Sequence, residues 1–247
     1  LGGEYASLSG TSMASPQVAG ISALVRQRIA SDPAFASMSA ADKNAVVTNL
    51  IMGTAHPLVD IELGDGTFYS PRKVGAGEVD AVAATTSSVY PSVVGSANPS
   101  RPKADLGDGT TGWTFQVQLT NLSAQAHTYT LGGQALSEVV EEGLFMEHSQ
   151  NWAGQGITLA FSSDSVTVPA SSSATVTVTV TPEAEFASYA SAHAPEGTFI
   201  DGAITFTSAD GAPDLTVPYM GFYGSWGAPA IFDGLWSDEE TRPAHVY

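Results

Sequence analysis

The chain has 247 residues, enough for two domains of ordinary size that each bury a core. Its 25 acidic residues against 8 Lys and Arg give a formal net charge of -17, a field that repels phosphate backbones and anionic membranes and argues against nucleic-acid binding. Cysteine is absent, which excludes disulfides, thiolate zinc sites and thiol catalysis within the chain, and no apolar run is long enough to span a membrane.

The first residues, Leu1-Gly2-Gly3-Glu4-Tyr5, have neither the basic region nor the apolar core of a signal peptide. Chemistry enters at once, in the run Ser9-Gly10-Thr11-Ser12-Met13-Ala14-Ser15-Pro16-Gln17-Val18-Ala19-Gly20. Gly10 can take a positive φ and let another backbone pass close by. Thr11 reads as an N-cap, which places Ser12 in the first turn of a helix running to about Ile29, where its backbone N–H is unpaired and turned outward. Pro16 removes the donor that would otherwise meet the Ser12 carbonyl. Beyond it, Val18, Ala19, Gly20, Ile21, Ala23, Leu24 and Val25 leave no wide polar face, so the helix is expected to be buried on most sides.

A turn at Ser31-Asp32-Pro33 precedes a second predicted helix from Ser39 to Met52, with Ser39 and Asp42 as a capping box and Gly53 as its stop. Val59–Leu63 and Thr67–Tyr69 flank Gly64-Asp65-Gly66 and read as a hairpin or a surface loop with short paired arms. Ser70 to Ala81 follows, and its last residues open a short helix to about Thr85.

Gly-Thr-Ser-Met-Ala-x-Pro followed by x-Val-Ala-Gly resembles the nucleophile motif of subtilisin-like serine proteases. The Ser-Pro-Arg-x-x-Gly-Ala-Gly-x-Val-Asp-Ala segment is similar to the form found in the cell-envelope proteinases of Gram-positive bacteria, the lactocepin group and the streptococcal complement-cleaving peptidases. The resemblance covers residues 1–87 and implies that Ser12 is a catalytic nucleophile. Gln17 departs from the His that many members carry there, a His that is not the general base.

Such a serine needs a base in hydrogen-bond reach and a group that orients the base. In subtilisin the order along the chain is Asp, His, Ser. Before Ser12 this chain has Glu4 as its one acid and no His; His56, His127, His148, His193 and His245 all follow, and each reads as a surface or loop histidine. The resemblance therefore implies that the Asp, the His and the oxyanion-hole Asn lie upstream, and that the 247 residues alone do not hydrolyse peptides.

From Ser88 the pattern changes to alternation. Trp113, Phe115, Val117 and Leu119 alternate with Thr114, Gln116, Gln118 and Thr120, and Ala174, Val176, Val178 and Val180 alternate with threonines. With 89–97, 126–131, 157–161, 165–168, 203–207 and 215–221 they make seven or eight strands of a β-sandwich. Glu138 to Gly156 and Glu183 to Thr198 read as long loops, the first a packed Ω-type loop rather than a metal site despite Glu141, Glu142, Glu147 and His148. Asn121-Leu122-Ser123 fits a glycosylation acceptor but reads as a strand-end turn. The aromatic run Val217 to Trp226 reads as a last strand packed on something adjacent, rather than a sugar platform. It resembles the end of the fibronectin type III-like domain of those proteinases.

The expected architecture is thus an α/β fragment, the C-terminal helices of a subtilisin-like domain at 1–87, followed by an all-β fibronectin type III-like sandwich at 88–231 and a linker or further domain at 232–247. The implied parent is a secreted or cell-wall-associated serine endopeptidase of a Gram-positive bacterium acting on protein or peptide substrates. No cofactor is expected in this fragment; calcium is one the family allows in the parent. The alternative is a non-catalytic cell-surface binding or spacer module carrying a remnant protease segment. With the sheet of the protease domain outside the chain, residues 1–87 are expected to be poorly ordered alone, and the sandwich to fold independently.

Overall fold

The computed structural model describes residues 8–141 and 143–228. Glu4, Glu142, Trp236, His245 and the expected linker at 232–247 lie outside the described residues. The N-terminal part is helical: α1 (Thr11–Ser31), a 3-10 turn (Pro33–Phe35), α2 (Ala40–Gly53), α3 (Pro71–Val74) and α4 (Ala81–Thr86). Most starts are capped by side chains. Ser39 Oγ accepts the Asp42 N–H at 3.2 Å and donates to the Asp42 carboxylate at 2.7 Å, and Asp80 accepts the Ala83 N–H at 2.8 Å. The start of α1 differs from expectation. Thr11 is the first helical residue and Gly10 the cap, with a φ of 148° and no side-chain hydrogen bond. Gly10 makes the turn itself, and its carbonyl already takes the first helical donors, so Thr11 is drawn into the helix.

Val25, Ile29, Phe35, Val46, Val47, Leu50 and Ala84 form a small core beneath the helices. The expectation that α1 is buried on most sides is corrected: Thr11 to Gly20 are all exposed, and only Val25 and Ile29 are buried. The elements packed on α1 are α2 and α4, and they meet only its C-terminal half. Arg28 fastens that half, stacking over Phe35 at 5.4 Å and donating to the Ser87 carbonyl at 2.6 Å.

Between α2 and α4 the chain makes short paired arms, as expected. Asp60 N–H donates to Thr67 O and Tyr69 N–H to Leu58 O, each at 2.8 Å. His56 and Glu78 exchange two backbone bonds of 2.8 Å. Gly77 sits beside that pair with a φ of 110°, and a Cβ there would lie 2.0 Å from the His56 carbonyl oxygen, so no other residue fits.

The rest is a sandwich of two sheets. One has the order β1 (Val89–Val93), β3 (Trp113–Asn121), β9 (Ser172–Pro182), β7 (Ile157–Phe161). The other runs β2 (Ala104–Gly109), β11 (Leu215–Tyr223), β10 (Thr198–Ser208), β4 (His127–Gly133), β8 (Ser165–Val168), and β5 (Leu136–Glu141) joins it through β10 while pairing with β6 (Leu144–Asn151). The register explains the alternation: Phe115 faces Val178 and Val117 faces Val176, all inward, while Gln116 and Thr177 hydrogen-bond on the outer face. Val117, Leu119, Tyr129, Val178, Ile204, Phe206, Val217 and Tyr219 fill the core.

Two stretches read as long loops are regular. Residues 138–156 hold the β5–β6 hairpin, whose alternation is masked by a register shift between Glu138 and Val140. Residues 183–198 hold α5 (Ala184–His193), which buries Phe186 and Ala190 one turn apart against Trp152 and Tyr223. A third element, β2, was absent from the expectation because Ala-Asp-Leu-Gly-Asp-Gly lacks the residues that favour strands; it forms by parallel pairing with β11, across an irregularity between Met220 and Phe222.

Candidate active site

Ser12 is the second residue of α1. Met13 and Ala14 N–H both donate to the Gly10 carbonyl, at 3.0 and 3.1 Å, leaving the Ser12 N–H without an acceptor among the described residues. Pro16 leaves the Ser12 carbonyl equally free of a helical partner. The hydroxyl is exposed, on a stretch from Leu8 to Gly20 that is exposed throughout. A hydroxyl and an unpaired N–H therefore sit side by side on an open helix start, with the positive end of the helix beneath them. Among the described residues no imidazole or carboxylate hydrogen-bonds Ser12.

Three of the histidines have partners elsewhere. His56, exposed, lies 3.1 Å from Asp80 through Nε2; the Ala83 N–H, then His56, hold the Asp80 carboxyl below its ordinary range. His193 ends α5 with its ring 4.8 Å from that of Tyr189. His127 departs from the surface or loop reading, since it lies in β4 with its side chain only 15% exposed. Its Nδ1 is 3.2 Å from Asp210 Oδ1 and its Nε2 3.1 Å from Ser123 Oγ. Burial works against ionisation of Asp210, but bonds from His127, Thr128 N–H, Ser208 and Ala212 N–H outweigh it and hold the carboxyl down at about 2.

Ser123, His127 and Asp210 thus have the spacing of a hydrolytic triad without its function. Ser123 Oγ has closer acceptors at 2.8 Å in Asn121 Oδ1 and Gln125 O, it accepts the Gln125 N–H, and its own N–H is held by Asn121. The hydroxyl is locked in a turn and its N–H cannot meet an oxyanion. The same turn settles Asn121, whose buried amide donates to Gln125 O, Val168 O and Pro169 O and is closed to glycosylation.

Sequence reasoning did not find the charged cluster between the two parts. Arg72 Nε donates to Asp201 at 2.7 Å and Nη1 to Glu138 at 2.6 Å, and Ser70 Oγ donates to Asp201 at 2.6 Å. Burial raises the Asp201 carboxyl above its ordinary range, against the opposing pull of Arg72 and Ser70. A cleft of about 270 Å³ nearby, lined by Met52, Arg72, Lys103, Tyr219 and Met220 among others, includes no residue of the Ser9–Gly20 run. Among the described residues no three His, Asp or Glu side chains converge as a group that could hold a metal ion. No helix there is long and apolar enough to cross a membrane.

Comparison with known proteins matches residues 1–77 to the subtilase family and residues 105–220 to the Fn3-like domain. The PII-type proteinase of Lacticaseibacillus paracasei is 32% identical over 239 residues, 94% of this chain. The C5a peptidase of Streptococcus pyogenes serotype M1 is 27% identical over 231 residues, 91% of this chain. The chain spans only 12% and 18% of the length of these two relatives. Among solved structures, a FixG-related protein from Vibrio parahaemolyticus covers 56% of this chain and 97% of its own at 10% identity, with a TM-score of 0.32.

Proposed function

Because the chain joins a subtilase-family segment to an Fn3-like domain, we propose that Ser12 is the nucleophile of a cell-surface serine endopeptidase of a Gram-positive bacterium, acting on protein or peptide substrates. The observation that carries the reading is the open first turn of α1, where an exposed hydroxyl and an unpaired N–H belong to the same residue. Ser12 Oγ attacks the scissile carbonyl, and its proton passes to a histidine that precedes Leu1 in the parent chain and is oriented by an upstream aspartate. The Ser12 N–H and an upstream Asn meet the oxyanion of the tetrahedral intermediate.

Fluorophosphonate labelling tests the assignment. In a protein that includes the upstream residues, the label is expected on Ser12 and is lost in Ser12→Ala but not in Ser123→Ala. The 247-residue chain alone is expected to label no faster than Ser12→Ala. Labelling that survives Ser12→Ala, or a label on Ser123, overturns the assignment.

A further inference from the structure

We propose that Arg72 is the clamp by which the sandwich holds the subtilase segment, so that order in the helices leading to Ser12 depends on a buried ion pair made across the two parts. This goes beyond the nucleophile assignment, and it is read from protection of the backbone rather than from turnover.

Arg72 reaches from α3 to β10 and β5, where Asp201 and Glu138 take its Nε and Nη1, and its guanidinium carbon lies 4.4 Å from the centre of the Phe199 ring. The Asp201 side chain is 0% exposed. Two atoms of this cluster, Arg72 Nη2 and Asp201 Oδ1, are buried without a partner. Nε and Nη2 share one edge of the guanidinium, and Oδ1 is the second oxygen of the carboxylate that Nε already holds. The two orphans are therefore halves of one incomplete side-on pairing. A retreat of α3 from β10 strands both charges in a dry site.

The consequence of breaking the pair is one-sided. Asp201 lies in β10, held between β11 on one side and β4 and β5 on the other, so its backbone cannot shift without dismantling the sheet. Arg72 lies in a four-residue helix with no buried residue, and α3 can lift away. An unpaired Asp201 regains solvent when the helical segment undocks.

Undocking reaches Ser12 through contacts already described. The segment after α3 leads to α4, whose Ala84 packs with Val25 and Ile29 of α1. Neighbouring contacts extend the clamp: Gln134 accepts the Phe68 N–H at 2.9 Å and donates to Gly66 O at 2.8 Å, Lys73 Nζ donates to Glu147 O, and Tyr90 and Leu122 of the sandwich cover the helical core. These contacts give the base of the helical segment a partner in the sandwich.

Hydrogen exchange on the 247-residue chain tests this peptide by peptide. Arg72→Met is expected to speed exchange in α1 and α2 on the order of ten- to a hundredfold while β3 and β9 keep their protection. The double variant Arg72→Met, Asp201→Leu removes both charges at similar volume, leaves the part-exposed Glu138 free to meet water, and is expected to return most of the protection. Unchanged exchange in α1 and α2 in the single variant overturns the clamp, as does equal loss in the single and double variants. Should Arg72→Met fail to fold, Glu138→Gln removes one arm alone: faster exchange in α1 and α2 supports the clamp, and unchanged exchange overturns it.

Discussion

Among the described residues, seven buried apolar side chains make the core under the helices and twenty-two make the core of the sandwich, so the segment that carries Ser12 is the one least able to hold itself together. A core of that small size contributes little against chain entropy. The sandwich buries both inner faces against each other. The helical segment instead leaves the start of α1 open and borrows Tyr90 and Leu122 from the sandwich to close its base. An open start of α1 and independent stability pull in opposite directions here, and the contacts of Tyr90 and Leu122 offset part of the conflict.

The sharpest test of this contrast is Phe206→Ala in the sandwich core, expected to cost roughly 3–5 kcal/mol. Both parts should then be lost together in urea, with helical circular dichroism and tryptophan emission falling at one midpoint. None of the four tryptophans lies in residues 1–87, so the emission does not report the helices there. Survival of the helical signal after the emission has changed would break the dependence of the helices on the sandwich.

Leu50→Ala in the smaller core is expected to cost about 2–5 kcal/mol, but only the helices should feel it. Their circular dichroism should be lost at a lower urea concentration while the emission midpoint stays in place. Weaker still, Asp80→Ala removes the cap of α4 at a cost of about 1 kcal/mol, seen as a fall in the midpoint of the helical signal alone.

The smallest expected effect lies in the sandwich, at Asp210. Its folded value of about 2 lies below that of a free aspartate, about 3.9. Its stabilising contribution is therefore complete above roughly pH 4 and is lost as the pH falls toward 2. Asp210→Asn should flatten the acid limb of the stability curve in that window and leave the helical midpoint above pH 5 unchanged. An acid limb as steep as that of the parent chain would mean that the bonds to His127 and Thr128 carry no net weight.

Sequence reading succeeded where a residue's environment is set by near neighbours. The Ser39 cap acts three residues away on Asp42, and the alternation of Phe115 and Val117 against Gln116 and Gln118 follows from the two faces of one strand. It failed where the environment is set from far away. Nothing around Arg72 announces Asp201, 129 residues later, or Glu138, 66 residues later. The β5–β6 hairpin escaped because a register shift broke its alternation, and β2 because its Asp and Gly residues take their strand geometry from β11. The motif at Ser12 was legible for the opposite reason. Its shape comes from Gly10 and Pro16 within the same turn, although the burial expected for the rest of α1 was not.

The parallel pairing of β2 with β11 closes the sandwich between an early strand and its last described one. During synthesis the Ser12 helix therefore emerges first, while the sheet that steadies it is finished only when Leu215–Tyr223 arrives. Such distant closure makes folding slow. A chain cut short before that strand would present the Ser12 segment with no floor beneath it, so the order in which the residues are made delays a settled Ser12 helix until the sandwich is nearly complete.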